Sequence, residues 1–492
     1  MHALRTVSSP SALTPIPATV HPWESHDRGK VELFELDGTT TARLVAKGEA
    51  SVADVVESHI NRIDKVNTRL NAIVRRTNDD ARATAERVDR TSAHGELAGV
   101  VVTTKINTDH VPYPNDNGIR SLADNPSFET NRCIIGLLDA DAAMIGRTNA
   151  PAFSMRFHTA NDLHGETLNP HRHDISCGGS SGGAGVAVAT GMCHIAQGND
   201  IAGSVRWPAY MNGVIGLRPT VHRMPSGGTN PAVGRSWSAS EMSTNGLLAR
   251  TMADIRLGYR AMTTNNWSDP NWIPAPHSFP NDPLPKRVAL VTDDGRPIAS
   301  ETVEAIRRAG RALESAGYEV DEVTPPKIDT FFTLWERLGA IDMMLGLRPM
   351  LSAIGDKGLE VAIEDWATSF PPATPDVFMK ALIDRDLLVR EWNRFLSKYP
   401  VVISPLMCTL TIRRNFDIDH PGAMSELVDT GRWGFNLSAV AMPALSFPMG
   451  HVEGAPIGVQ VFSRSWREDV LLDAGDVLES AMGEVRTVDV QW

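Results

Sequence analysis

Apolar residues along this chain recur in two alternating rhythms. Val52, Val55, Val56, Ile60 and Ile63 repeat at helical spacing and predict one buried stripe, and Ser51 to Asp54 has the form of a capping box in front of it. Residues 33–47 read as a preceding helix, Ala72, Ile73 and Val74 as a short strand, and residues 79–88 as a polar, alanine-rich helix. The run Val100-Val101-Val102-Thr103-Thr104 is β-branched throughout and predicts a buried strand with Lys105 at its end. A helix over 131–140 and a strand over 143–146 follow, and farther on residues 288–291, 302–316 and 318–323 give a clear strand, helix, strand unit. Thr251 and Asp254 are placed to cap a helix that runs to Met262, and residues 263–285, with Trp267 and Trp272, read as a long surface crossover. Residues 331–396 are mostly helical, 401–404 and 444–447 have the composition of central strands, and 468–482 form a closing helix. This alternation indicates an α/β fold.

One stretch, residues 177–220, interrupts the rhythm with dense glycine. Ser180 lies in GGSSGG and Ser204 in DIAGSVRWPA, and glycine crowded beside a hydroxyl means that backbone must come close to something. The small apolar residues 184–190 can pack as a buried helix directly behind their own loop. Ser204 falls at the start of a second short helix, where unpaired amides and the positive end of the dipole face outward. Such a set suits acyl transfer: a hydroxyl nucleophile, amides for an oxyanion, and a second hydroxyl to pass a proton. Lys105 is the candidate base, because burial at a strand end favours its neutral form.

These residues resemble the amidase signature family, whose pattern is GGSSGG, a helix, D-x-G-G-S-x-R-x-P-A, then G-x-x-G-x-(K/R)-P-T. Further matches are the strand ending in Lys105, Gly146-Arg147-Thr148-Asn149, Asn169-Pro170, GLLARTMAD from Gly246, and Pro456-Ile457-Gly458-Val459-Gln460, so the resemblance spans roughly residues 35–485. It implies a single large domain, residues 31–492, with a central mixed β-sheet covered by helices on both faces, and a variable helical region over about 325–435 that shapes the substrate pocket. It also implies a Ser, cis-Ser, Lys triad of Ser204, Ser180 and Lys105, with a cis Gly179–Ser180 peptide and an acyl-enzyme on Ser204. The oxyanion hole would be the amides of Ile201, Ala202, Gly203 and Ser204, and Ser181 would support the network by hydrogen bonds. Met155 and Phe157 are expected to line the pocket, and the loop with Tyr113, Pro114 and Asn117 to border its entrance. Two positions depart from the pattern: Ala202 stands where the family usually has glycine, and Ala152 replaces a commonly acidic residue.

Composition narrows the partners. With 47 basic and 59 acidic residues the net charge is −12, spread without long runs of one sign, which argues against nucleic acid or an anionic membrane and favours a soluble enzyme with a neutral substrate; the resemblance implies that this substrate is a small-molecule amide. Cys133, Cys177, Cys193 and Cys408 are widely separated and read as reduced buried thiols. Pro10, Pro15, Pro17 and Pro22 mark residues 1–30 as a proline-rich arm with no signal-like apolar run, and no stretch approaches the ~18 apolar residues of a membrane span. The expectation is a cytoplasmic enzyme, with a homodimer among the states that the sequence allows. Five histidines fall within 158–194, but no matched ligand motif accompanies them, so no metal and no cofactor are expected. GGSSGGAG lacks the ending of a phosphate loop.

The leading reading is hydrolysis of a bulky or aryl carboxylic amide to acid plus amine or ammonia. Aryl ester or carbamate hydrolysis is chemically close, and a glutamine-hydrolysing subunit of a tRNA-dependent amidotransferase is the alternative within the family. A Ser-His-Asp triad is the chemical rival, although Ser204 does not sit in a GxSxG elbow. A catalytically silent binding protein on the same fold is the remaining alternative.

Overall fold

The computed structural model describes residues 31–492 except 92, 227–229, 231–233, 265–268, 371–373 and 491; the proline-rich arm and Trp267 lie outside the described residues. Among the described residues thirteen strands are formed in chain order: β1 Ile73–Arg76, β2 Val101–Lys105, β3 Ala143–Thr148, β4 Ala160–Asn161, β5 Gly165–Glu166, β6 Ile195–Asp200, β7 Ile215–Arg218, β8 Thr244–Ala249, β9 Arg287–Leu290, β10 Glu319–Glu322, β11 Val401–Ser404, β12 Ala444–Val452 and β13 Ala455–Phe462. Eleven of them make one sheet in the order β1-β3-β2-β6-β8-β7-β12-β13-β11-β9-β10, while β4 and β5 pair separately. The sheet is mixed, with parallel contacts of β2 to β3 and to β6, and of β9 to β10 and to β11, and antiparallel contacts from β6 across to β11.

The β-branched run ending in Lys105 forms β2, whose five residues are all buried. Thr103 pairs with Ala196 of parallel β6, so both chains leave the sheet at the same edge. Ligand sites of α/β sheets form at such carboxyl ends. The helix Gly182–Ala189 is buried along its whole length, and only small side chains allow that fit. Gly185, for example, has no room for a Cβ, which would lie 2.6 Å from Asn212 Nδ2 and 2.8 Å from the Pro208 carbonyl.

Two expectations change in detail. The helix expected over 33–47 is a 3-10 turn, Leu33–Glu35, followed by the helix Gly38–Ala46. Asp37 divides them, because its carboxylate caps the second helix through Thr40 N at 2.7 Å. Thr251 does cap its own helix, accepting from Asp254 N at 3.2 Å. The Asp254 carboxylate instead accepts from Gly38 N at 2.8 Å and Thr39 N at 2.7 Å, joining the start of the helix Gly38–Ala46 to the helix Met252–Met262.

Candidate active site

Lys105 is fully buried at the end of β2. Its Nζ lies 2.6 Å from Ser180 Oγ and 2.9 Å from Asn199 Oδ1. The backbone beneath it is held on two sides: Lys105 N donates to Gln197 Oε1 at 3.1 Å, and Arg147 Nη2 donates to the carbonyls of Ile106 and Thr108 at 2.9 and 2.8 Å. Burial pushes the Lys105 amine down to about 7, against the opposing pull of the Asp200 charge. Near neutral pH a large share of these amines is therefore uncharged.

The peptide between Gly179 and Ser180 is cis. A Cβ at Gly179 would stand 2.5 Å from the Arg156 carbonyl oxygen, so the chain passes the Met155 to Phe157 segment at glycine distance. Ser181 makes its contact here through the backbone. Its amide donates to the Ser204 carbonyl at 3.1 Å and ties the two serine turns together. Its hydroxyl is buried without a partner among the described residues, because it points at Gly198 of β6, where a Cβ would come within 2.7 Å of it.

The turn from Asp200 to Ser204 has each of its carbonyls occupied. Arg218 Nη1 donates to Asp200 O at 2.6 Å, Trp335 Nε1 to Ile201 O at 2.7 Å, Trp207 Nε1 to Ala202 O at 3.0 Å, Trp207 N to Gly203 O at 2.6 Å and Ser181 N to Ser204 O. In a trans peptide the carbonyl and the following N–H point in opposite directions. Drawing the carbonyls into protein therefore turns the amides the other way. Among the described residues the amides of Ile201, Ala202 and Ser204 have no acceptor, but the Gly203 amide does: it donates to Asp200 Oδ1 at 2.8 Å. The expected donor set of Ile201, Ala202 and Gly203 is thus corrected at Gly203, since a buried carboxylate already accepts that hydrogen. Gly203 is needed for space, with φ +100° and a Cβ that would fall 2.0 Å from Trp207 Cδ1.

Asp200 and Arg206 brace this turn. Both are buried, Arg206 Nη2 and Nε reach the carboxylate at 2.8 and 3.0 Å, and Val205 N donates to it at 3.2 Å. Arg206 Nη1 also donates to Gln460 Oε1 at 2.6 Å, which ties the late Pro456 to Gln460 stretch to a residue 254 positions away in sequence. The guanidinium groups of Arg206 and Arg218 hold the Asp200 carboxyl well below the usual carboxylate range, although burial opposes them.

Ser204 opens on a narrow cleft. Met155 and Phe157 line it, together with Trp335, Met343, Trp366 and Met424 from the helical region. The space has room for only about 30 Å³ of water, and Met155, Met343 and Met424 on its wall are unbranched, adaptable side chains. Among the described residues no charged side chain lines it. The expected entrance residue Tyr113 is not in this lining; its hydroxyl donates to Asp80 Oδ2 at 2.6 Å. A larger hollow, about 350 Å³, lies between the helices Val52–Leu70 and Asn78–Asp89 and contains none of these groups.

The histidines divide among separate partners. His158 forms a chain that looks like a serine triad, with Nδ1 3.1 Å from Ser176 Oγ and Nε2 2.7 Å from Glu166 Oε1. Ser176 is fully buried and its hydroxyl already accepts from Gly178 N at 3.0 Å and donates toward Phe157 O. No substrate carbonyl can reach it, so this chain supports the turn before Ser180 and does not act as a nucleophile. His164 meets Asp116, His171 meets the Asn212 carbonyl, His173 packs on Trp492 and His194 pairs with His59.

The sequence model of the family described as Amidase matches residues 54–472. The chain belongs to that family. An Amidase relative, the indoleacetamide hydrolase of Bradyrhizobium diazoefficiens, is 35% identical over 92% of this chain and 88% of its own length. A glutamyl-tRNA(Gln) amidotransferase subunit of Deinococcus deserti is 29% identical over 90% of this chain and 96% of its own. Among solved structures, 6-aminohexanoate cyclic dimer hydrolase complexed with substrate superimposes with a TM-score of 0.81 at 25% identity, covering 94% of this chain and all of that one. The protein is an amidase, a hydrolase of amide bonds, built on the Amidase fold. No helix of the described residues is long and apolar enough to cross a membrane.

Two site residues escaped sequence reasoning. Asn199 is one position before the Asp200 of the signature and could have been noticed as a polar side chain at the end of a buried strand. The grip of Trp335 on the Ile201 carbonyl left no signal, since it joins residues 134 apart.

Proposed function

We propose that this amidase hydrolyses neutral amides with a flat, apolar acyl group, such as arylacetamides, through an acyl-enzyme on Ser204. The neutral amine of Lys105 takes the proton of Ser180 while Ser180 takes that of Ser204, and the Ser204 oxygen bonds to the carbonyl carbon. The negative charge that develops on the carbonyl oxygen meets the amides of Ile201, Ala202 and Ser204. As the C–N bond breaks, Ser180 returns a proton to the leaving nitrogen and recovers one from Lys105. Water then enters by the same relay and releases the acid, restoring Ser204.

The observation that carries the substrate class is the cleft beside Ser204, walled by Phe157, Trp335 and Trp366 and free of charged side chains among the described residues. Glutamine would bring an ammonium and a carboxylate into that wall without partners, at a cost that neutral aryl amides avoid. This disfavours the amidotransferase reading, while the name of the indoleacetamide hydrolase agrees with an aryl acyl group.

Labelling with a serine-directed fluorophosphonate, followed by peptide mass spectrometry, tests the nucleophile. Adduct on Ser204, its loss in Ser204→Ala with the fold retained, and persistent labelling in Ser176→Ala are expected. Adduct on another serine, or turnover by Ser204→Ala, would refute the assignment. In a panel of indole-3-acetamide, phenylacetamide, acetamide and glutamine, the aryl amides are expected to lead in kcat/KM; preference for glutamine would sink the substrate class.

A further inference from the structure

We infer that Trp335 is a positioning and specificity residue, whose indole couples occupation of the acyl cleft to the aim of the Ala202 amide at the reacting carbonyl. The inference rests on the proposed function and deepens it.

The starting point is which parts of the chain hold the oxyanion turn. The carbonyls of Asp200, Ala202, Gly203 and Ser204 are held by Arg218, Trp207 and Ser181, all within the glycine-dense stretch itself. The Ile201 carbonyl alone among these five is held from outside, by Nε1 of Trp335 at 2.7 Å. That bond fixes the plane of the peptide joining Ile201 to Ala202, and hence the direction of the Ala202 N–H. The Ala202 amide is one of the three left without an acceptor among the described residues.

Trp335 is itself held at several points. Its backbone N donates to Asn436 Oδ1 at 2.8 Å at the start of the helix Leu334–Asp342. One turn later Gly339 leaves the ring its place, since a Cβ there would lie 3.2 Å from three ring atoms. The ring packs against Trp366 at 5.0 Å and Phe435 at 5.5 Å between centroids. The same indole lines the cleft beside Ser204. An acyl group lying against this ring therefore packs on the group that sets one oxyanion donor, whereas a small acyl group leaves that face of the indole uncovered. The variable helical region thereby acts on rate as well as on fit.

Two replacements separate this role from packing. Trp335→Phe keeps an aromatic ring without the N–H, and benzothienylalanine incorporated at position 335 keeps the two-ring shape with sulfur in place of the N–H. Losing a direct oxyanion donor typically costs about 100 to 1000-fold, so misdirecting one is expected to lower kcat for phenylacetamide by about tenfold or more. KM should stay within about threefold, and the second-order rate of fluorophosphonate labelling should fall in parallel with kcat. The isosteric variant should show the same loss at an unchanged melting temperature. The wild-type advantage of phenylacetamide over acetamide in kcat should shrink in both variants. Unchanged kcat in the isosteric variant, or a change confined to KM, would overturn the inference. If the fluorophosphonate does not label Ser204 in the unaltered protein, the proposed nucleophile fails; labelling that is insensitive to the N–H removes only the role of Trp335.

Discussion

Asn199 Oδ1 and Lys105 Nζ stand 2.9 Å apart at the ends of neighbouring parallel strands, and among the described residues the amine's other hydrogen-bond partner is Ser180 Oγ at 2.6 Å. Asn199 is in turn fixed by a mutual amide pair with Asn107, whose Nδ2 also reaches Ser154 Oγ at 2.9 Å on the cleft wall. The amine is thus oriented by a neutral oxygen. A neutral acceptor engages an N–H without adding the negative charge that would hold the amine protonated, which leaves burial to dominate.

The pH dependence of turnover follows from that balance. With the Lys105 amine pushed down to about 7, the active, uncharged fraction grows as pH rises and saturates above it. kcat/KM for a neutral amide is expected to rise close to tenfold per unit below about pH 7 and to level off above about pH 8, measured with a substrate whose acylation limits the rate. A flat profile across this interval would count against Lys105 as the base.

Replacing the neutral neighbour by a charged one tests the same physics. In Asn199→Asp a carboxylate stands where the amide oxygen lies 2.9 Å from Nζ, and an opposite charge at that range raises an amine's pKa by about one to three units. Activity near pH 7 should fall by about tenfold or more and recover toward pH 9. Asn199→Ser, which adds no charge, should leave the inflection where it was. An unmoved inflection in the aspartate variant would show that Asn199 does not govern the base.

What the sequence disclosed and what it hid follow from the range of the interactions. Lys105, Ser180 and Ser204 announce themselves through neighbours in sequence, a β-branched run for the first and glycine clusters for the others. Asp200 and Arg206, two charges in an apolar turn, could be read as braces for the same reason. The use of the Gly203 amide by Asp200 was hidden because an oxyanion donor and a turn-bracing donor are the same backbone group, told apart only by where the carboxylate lies. The Ser181 hydroxyl and the Trp335 indole were hidden because their surroundings are set by strands and helices distant in sequence.

The buried Asp200 and Arg206 pair yields a stability prediction. The carboxylate accepts from Gly203 N, Val205 N, three Arg206 nitrogens and Ser438 Oγ, with both charged side chains fully buried. Removing Asp200 leaves the buried charges of Arg206 and Arg218 without their carboxylate, at a cost of about 3–5 kcal/mol. Asp200→Asn is expected to lower the denaturant midpoint accordingly and to abolish activity by loosening the turn. The Asp200→Asn, Arg206→Met double variant should be less destabilised than the sum of its singles. Additive losses would mean that the pair is not coupled.

Acid stability is set by histidines that the fold keeps neutral. His194 Nδ1 accepts from Val101 N at 2.9 Å, so its proton sits on Nε2, 3.2 Å from His59 Nε2, and the proton of His59 sits on Nδ1 facing the Gly191 carbonyl at 3.0 Å. One neutral arrangement satisfies every nitrogen, and a further proton would break it. Burial holds His59 down to about 3 and His110 and His171 to about 4, with His194 also well below 6.5. For these groups the unfolded chain binds protons first, so stability is fully present above the unfolded value near 6.5 and is lost as pH falls toward the folded values. Two buried carboxyls, Asp254 raised to about 6 and Glu479 to about 7, act in the opposite sense. Burial also lowers His277 and His451 and raises Glu336 and Asp342, so between about pH 4.5 and 6 six histidines stand against four carboxyls, and the net slope still favours folding at higher pH. The urea midpoint is therefore expected to be lower at about pH 5 than at about pH 7.5, at equal ionic strength, and the difference should narrow in His59→Gln. Equal midpoints at the two pH values would show that the buried histidines do not govern the acid limit.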